Sequence, residues 1–561
     1  MQPLENLSPI SLNGSWEFRF EEGKVLEEVA DPAFEATDTM VVPACYDIFP
    51  KWYLKRGTGL YRRTFTLPQP VKNAWLVVEG MGLRGDFRID GKPLGGHPYP
   101  YARLELETGP LEAGTHVLFA ALDNRLDWET VKLVRPYYDF YLYGGFYRGV
   151  SLVFDRRRLF VRTRDYRSGC IELEAVDFPA GDFTAELLFD DARIVKVDFR
   201  ENRATVCVPQ FKVWSPEHPN LHRVTLKAEG MAPLSVRFGI REIKAEGRRI
   251  LLNGERIFLK GVNRHDSHIE FGAVTSESQM LRDLQLIKSL NANFIRGAHY
   301  QQSQRFLDLC DEMGLLVWEE SLGWGNGQPY TRRDGINELL DADFIEQQLF
   351  QTREMVRASF NHPSVIIFGF LNECDGRQPE CKTLVDALID TIRAEDSGRL
   401  LTFACNSWEG DLCHERTDLV AFNAYPGVIP LKPGLPDELA AKVKECFSTI
   451  TRYFREKYPD KPIIVSESGV GGLYGCHDEA ASSYTEEFQN EYLGDLLQTI
   501  LTNPDLTGYA IWQFADNRTY SRNSSSESGK PYCISIAGLF NHQRLPKLSV
   551  QTVRKWFGSM N

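Results

Sequence analysis

No stretch of this sequence approaches the ~20 consecutive apolar residues that a membrane helix needs, so a helical membrane protein is excluded and no membrane partner is expected. The opening MQPLENLSPISLNGSW lacks a basic stretch followed by an apolar run. No secretory signal is read there, and the expected compartment is the cytoplasm. Basic charge is also short: 64 Lys and Arg stand against 77 Asp and Glu, for a net charge of −13. A phosphate backbone needs a basic footprint, so nucleic acid is not an expected partner. The eleven cysteines form no CxxC pair and show no metal-ligand spacing. Free thiols are expected, and nothing in the sequence calls for a cofactor. Internal repeats are absent, and SRNSSSESG (521–529) is the single low-complexity segment.

What is present is a long chain of ordinary globular composition. Its 561 residues suggest three or four domains at ~150 residues each. Residues 1–157 show short alternating runs such as SWEFRFEE, YRRTFTLP and AWLVVEG between Gly, Pro and Asp turn signals, which predicts a β-sandwich. Residues 158–241, with IELEAVDF, TAELLFDD and HRVTLKAEG, predict a smaller immunoglobulin-like sandwich. From 242 to 561 the pattern changes to apolar runs alternating with amphipathic, helix-length stretches. The eight runs are 257–265, 293–300, 315–321, 365–373, 400–406, 419–425, 462–468 and 508–516. Eight βα units describe a TIM (β/α)₈ barrel.

Barrel active sites lie where the strands end, so polar residues closing a run are the catalytic candidates. Run one supplies Asn263, Arg264, His265 and Asp266; run two, Arg296 and His299; run four, Asn372 and Glu373. Run six supplies Asn423 and Tyr425, run seven Glu467, and run eight Trp512 and Asp516. Strands four and seven face each other across the barrel mouth. Carboxylates on both suit glycoside hydrolysis, where one protonates the leaving oxygen and the other attacks the anomeric carbon or activates water. Glu373, after an apolar strand, is expected to stay protonated, helped by a negative Glu467. Glu467 is expected to stay ionised through donors such as Arg296 and Tyr425. Cys374, beside Glu373, reads as packing.

These motifs resemble glycoside hydrolase family 2, the β-galactosidase, β-glucuronidase and β-mannosidase group. LNGSWEF is similar to the opening of the family's sugar-binding jelly roll. GVNRHDSH and IRGAHYQQSQRFLDLCDEMGLLVWEE resemble its first barrel signature, NHPSVIIFGFLNE the acid/base segment, and PIIVSESG the nucleophile segment. The resemblance implies a retaining mechanism with Glu373 as acid/base and Glu467 as covalent nucleophile. It further implies that Asn372 binds the sugar 2-hydroxyl, that His265, Arg296, His299, Tyr425 and Trp512 line or support the glycone pocket, and that Asp139 reaches sugar hydroxyls from the jelly roll. Relatives are often dimers or tetramers, so a homo-oligomer is open.

Two departures bear on specificity. Family β-glucuronidases hold the uronate carboxylate with an Asn-x-Lys pair, and the matching positions here are Ser535 and Ala537. The usual carboxylate clamp is missing, although an arginine from the loop of Arg518 and Arg522 is a substitute. Large β-galactosidases bind magnesium at positions that correspond to Trp324 and Asn326, so no metal is expected. Trp324, in the glycine-rich GWGNG, either stacks on the aglycone or anchors its own loop. The expected activity is a retaining exo-β-glycosidase on small-molecule or oligosaccharide β-glycosides, with a β-galactosidase as the first reading. A β-glucuronidase or β-galacturonidase with a different cation is the alternative, and a non-catalytic carbohydrate-binding protein is the third reading.

Overall fold

The computed structural model describes residues 7–560 apart from 137, 180, 191, 333–334, 428–435, 521–529 and 531–532. Two antiparallel sheets form the first unit. A six-stranded sheet runs in the order Asp38–Val42, Gly14–Glu22, Gly57–Leu67, Gly114–Asp123, Arg84–Ile89 and Lys92–His97. A four-stranded sheet pairs Ile10–Ser11, Val150–Val153, Trp75–Val78 and Leu104–Glu107. Alternation along the strands turns Trp16, Phe18, Tyr61 and Leu118 of one sheet toward Leu76, Val78 and Leu152 of the other, which makes one buried core. A three-stranded and a four-stranded antiparallel sheet follow between Arg158 and Phe238, closed over Leu173, Leu187, Phe199 and Leu226.

The remainder is a parallel barrel. Its strands are β1 (Leu259–Arg264), β2 (Phe294–Gly297), β3 (Leu316–Glu320), β4 (Val365–Gly369), β5 (Leu400–Thr402 with Ala404–Cys405), β6 (Val420–Asn423), β7 (Ile463–Ser468) and β8 (Leu506–Ile511). Each is covered on both faces, which is why the runs are continuously apolar rather than alternating. Phe403 divides β5. Its first half pairs with β4 and its second with β6, so the ring closes through the chain itself. A three-stranded sheet from Ile243 to Ile257 brings Ile250 and Leu252 against Leu259, Phe294, Leu316 and Ile464, closing the end of the barrel where the strands begin.

The helices between strands follow local signals. Ser276 opens Glu277–Ser289 with a capping box completed by Gln279. Gln304–Met313 stops at Gly314, whose φ of 70° and close approach to the Pro216 carbonyl oxygen both require glycine. The open end of the barrel is covered by the long connection between Asp123 and Val150. There Phe140 packs on Tyr300 with ring centroids 5.5 Å apart, and Arg148 donates to the Gln301 carbonyl at 2.8 Å. This connection carries Asp139 and Phe140 to the barrel mouth.

Candidate active site

Arg296, at the end of β2 and fully buried, organises the site. Its Nη1 donates to Glu467 Oε1 at 2.6 Å and to Asn263 Oδ1 at 3.0 Å. Its Nε and Nη2 grip Glu320 at the end of β3, at 3.0 and 2.8 Å. Nη2 also donates to Asn372 Oδ1 at 2.9 Å. Tyr425, just beyond β6, donates its hydroxyl to the second oxygen of Glu467 at 2.7 Å. Both oxygens of Glu467 therefore accept a hydrogen bond, one of them from a guanidinium.

Glu373 meets different surroundings four residues past the end of β4. Its amide is tied to the Ala404 carbonyl at 2.8 Å, and its φ is 55°, in the left-handed region that costs a side-chain-bearing residue energy. Asn423 Nδ2 donates to Glu373 Oε1 at 2.9 Å. Burial, and after it the charge of Glu467, push the Glu373 carboxyl up to about 7. One carboxyl is thus held available to give a proton while its neighbour is held ready to attack. Paired acids with separated environments divide acid and base roles in this way.

The aromatic and imidazole residues enclose the space beside this pair. Trp512 lies parallel to His299 with centroids 5.3 Å apart, and His265 stands edge-on to Trp512 at 5.5 Å. Phe140, from the first unit, packs against His265 and His299 at 5.2 and 5.8 Å. Burial drives His299 down to about 3, opposed by Glu467 and assisted by Arg296. Burial, then His299, Arg296 and Arg264, hold His265 well below its ordinary value. Both imidazoles are neutral at physiological pH. Among the described residues neither ring nitrogen of His265 has a partner, nor does Asn372 Nδ2, whereas buried polar atoms are ordinarily hydrogen-bonded.

The structure therefore brings Glu373, Glu467, Arg296, His265, His299, Asn372, Tyr425 and Trp512 to one end of the barrel. Asp139 stands next to Phe140 and is ion-paired with Lys530. Trp324 is half-buried, edge-on to Tyr138 at 6.1 Å and to Tyr330 at 6.3 Å, and its backbone is bridged to Asn372. Asp516, a strand-end candidate, lies five residues beyond β8. It is bound by Lys547 at 2.8 Å and by the Gly538 amide at 2.9 Å, and so serves the fold. Arg518 directs its guanidinium to the ring of Tyr53, 5.2 Å away, and Arg522 lies outside the described residues. Burial pushes the Cys374 thiol up to about 11, contrary to what a nucleophile needs. Asn326 donates to Glu338 at 3.2 Å. The cluster Asp308, Asp311 and His362 has metal-ligand residue types, but Arg237 occupies it, 3.5 Å from Asp311.

Glu320 and Lys530 are not among the candidates named from the sequence: WEES reads as the strand itself, and Lys530 stands in a segment without periodicity.

Residues 243–561 match the family model described as glycosyl hydrolases family 2, TIM barrel domain. A β-glucuronidase of Streptococcus agalactiae is 24% identical over 591 residues, covering 97% of this chain and 95% of that one. A β-glucuronidase of Paenibacillus borealis is 27% identical over 460 residues, 78% of this chain and 74% of that one. The crystal structure of a β-galacturonidase from Eisenbergiella tayi bound to galacturonate superposes with a TM-score of 0.85 at 28% identity, covering 99% and 98% of the two chains. On the match to its barrel, the chain belongs to glycoside hydrolase family 2 and is a β-glycosidase.

Proposed function

We propose that the chain is an exo-acting, retaining β-uronidase that releases terminal β-linked glucuronate or galacturonate. The carrying observation is the pair of carboxyls on opposite strands, Glu373 raised to about 7 and Glu467 bonded by Arg296 and Tyr425. In the first step Glu467 attacks the anomeric carbon while Glu373 gives its proton to the departing glycosidic oxygen. In the second, the Glu373 carboxylate takes a proton from water, and the hydroxide so formed displaces Glu467. Asn372 Nδ2, unpartnered and buried, binds the 2-hydroxyl. His265 and His299 support the glycone, Trp512 faces its ring, and Asp139 reaches its hydroxyls. The two N-terminal sheet pairs are read as a jelly roll and an immunoglobulin-like sandwich, with domains at 1–157, 158–241 and 242–561.

The uronide part of the reading is supported by the relatives, which are named for glucuronide and galacturonide substrates. None of the three relatives described above is named for a galactoside, so the neutral-hexose expectation drawn from Ser535 and Ala537 gives way to the alternative. Initial rates on p-nitrophenyl β-glucuronide, β-galacturonide, β-galactoside, β-glucoside and β-mannoside test it. A uronide is expected to be turned over fastest. Preference for the galactoside would overturn the uronidase assignment and leave the carboxyl chemistry intact.

A further inference from the structure

A uronide differs from its parent hexoside by a carboxylate at C6, and a site that selects it needs a cation with unused donors. The positions where the family keeps its lysine offer none. Ser535 pairs with Asn517 in a short antiparallel ladder, and its hydroxyl accepts from Gln513 Nε2 at 3.1 Å. The Ala537 carbonyl accepts the Gln513 amide at 3.0 Å. Both residues thus lie along the wall that bears Trp512, without charge.

Four buried cations around the barrel mouth are committed elsewhere, and Arg518 lies against the ring of Tyr53. Arg296 spends its guanidinium on Glu320, Glu467, Asn263 and Asn372. Arg264 is held by Asp283, Asp266 and Gln302. Arg148 serves Asp266 and the Gln301 and Tyr101 carbonyls. Lys547 is bound to Asp516 and to the Ile536 carbonyl. Lys530 differs. It lies in the connection between Asn517–Arg518 and Ile534–Ser535, and its ammonium meets Asp139. Asp139 adjoins Phe140, whose ring packs on His265 and His299. The two side chains keep 15% and 33% of their surface, so the ion pair is open at the mouth rather than sealed. An ammonium has three N–H donors, and Asp139 takes one side of it.

Resting on the uronidase reading, we propose that Lys530 is the specificity-determining residue that binds the C6 carboxylate, with Asp139 orienting its ammonium and meeting the adjacent sugar hydroxyl. Lys530 stands seven residues before Ala537, the position where the family keeps its lysine. Burial pulls the Lys530 ammonium down to about 8.

The test is the ratio of kcat/KM on p-nitrophenyl β-galacturonide or β-glucuronide to that on the matching hexoside, measured for the wild type, Lys530→Met and Lys530→Arg. Loss of one charge-assisted contact is expected to lower the ratio in Lys530→Met roughly 10- to 100-fold, and Lys530→Arg to restore part of it. Thermal melting checks that each variant is folded. A wild type active on uronides whose Lys530→Met variant loses both substrates in equal proportion would overturn this role and leave the uronidase reading standing. A wild type inactive on both uronides would overturn the reading and the role together.

Discussion

At Glu373 a single residue combines backbone strain, burial and a nearby charge. Its carboxyl titrates at about 7 instead of the ordinary 4.5, with burial as the first cause and Glu467 as the second. If Glu373 must hold a proton to release the leaving group, kcat/KM falls as pH rises through about 7. In Glu373→Gln that alkaline limb disappears, and turnover of poor leaving groups drops by ~10²–10⁴ while activated aryl glycosides suffer far less. Equal losses on both would contradict the acid role. The same raised value bears on stability. A carboxyl whose folded value lies above its unfolded one contributes fully below the unfolded value and loses that contribution as pH rises through the folded one. Between pH ~5 and ~7.5 the wild type is expected to lose on the order of 1–3 kcal/mol relative to Glu373→Gln, readable by denaturant titration at each pH. Glu373 and Glu467 were legible in the sequence because each follows an apolar strand. Glu320 was not, since WEES reads as the strand itself and its role becomes visible only once Arg296 is placed beside it.

At the scale of elements, the loop after β3 acts as one piece with the end of β4. Asn372 exchanges backbone hydrogen bonds with Gly323 and Gly325 at 3.0 and 2.8 Å, and Gln328 Nε2 donates to the Glu373 carbonyl at 3.0 Å. Trp324 is thereby set beside the acid. The outer ring is Tyr330, 46% exposed, whose hydroxyl accepts from Asn406 at 3.2 Å. Stacking by Trp324 on a flat aglycone predicts that Trp324→Ala lowers kcat/KM on aryl glycosides roughly 3- to 10-fold more than on alkyl ones. A uniform loss would mark it as an anchor of its loop. The eight barrel runs were readable from their burial on both faces. The break of β5 at Phe403 was not, because LLTFACN is evenly apolar and gives no local sign of where pairing changes partner. Lys530 escaped for the opposite reason: it stands in a polar segment without periodicity, and its partner Asp139 is far away in sequence.

At the scale of the whole molecule, the site depends on pieces brought from distant parts of the chain. Asp139 and Phe140 come from the first unit, and the barrel mouth is braced by Asp283. This buried aspartate accepts from Arg264 Nε at 3.1 Å and from Arg544 Nε at 2.9 Å. Although burial opposes its charge, the two guanidiniums hold Asp283 below the ordinary carboxylate range. Asp283→Asn leaves two buried cations short of their counter-charge and is expected to cost ~3–5 kcal/mol, seen as a large fall in melting temperature. An unchanged melting temperature would show that the pair of arginines is compensated elsewhere. In the proposed reaction the uronide passes through a covalent bond to Glu467, and a 2-deoxy-2-fluoro-β-uronyl fluoride tests this most directly. Incubation with the reagent, digestion and mass spectrometry are expected to locate one uronyl adduct on Glu467. An adduct on another residue, or none while the enzyme turns over uronides, would contradict the account.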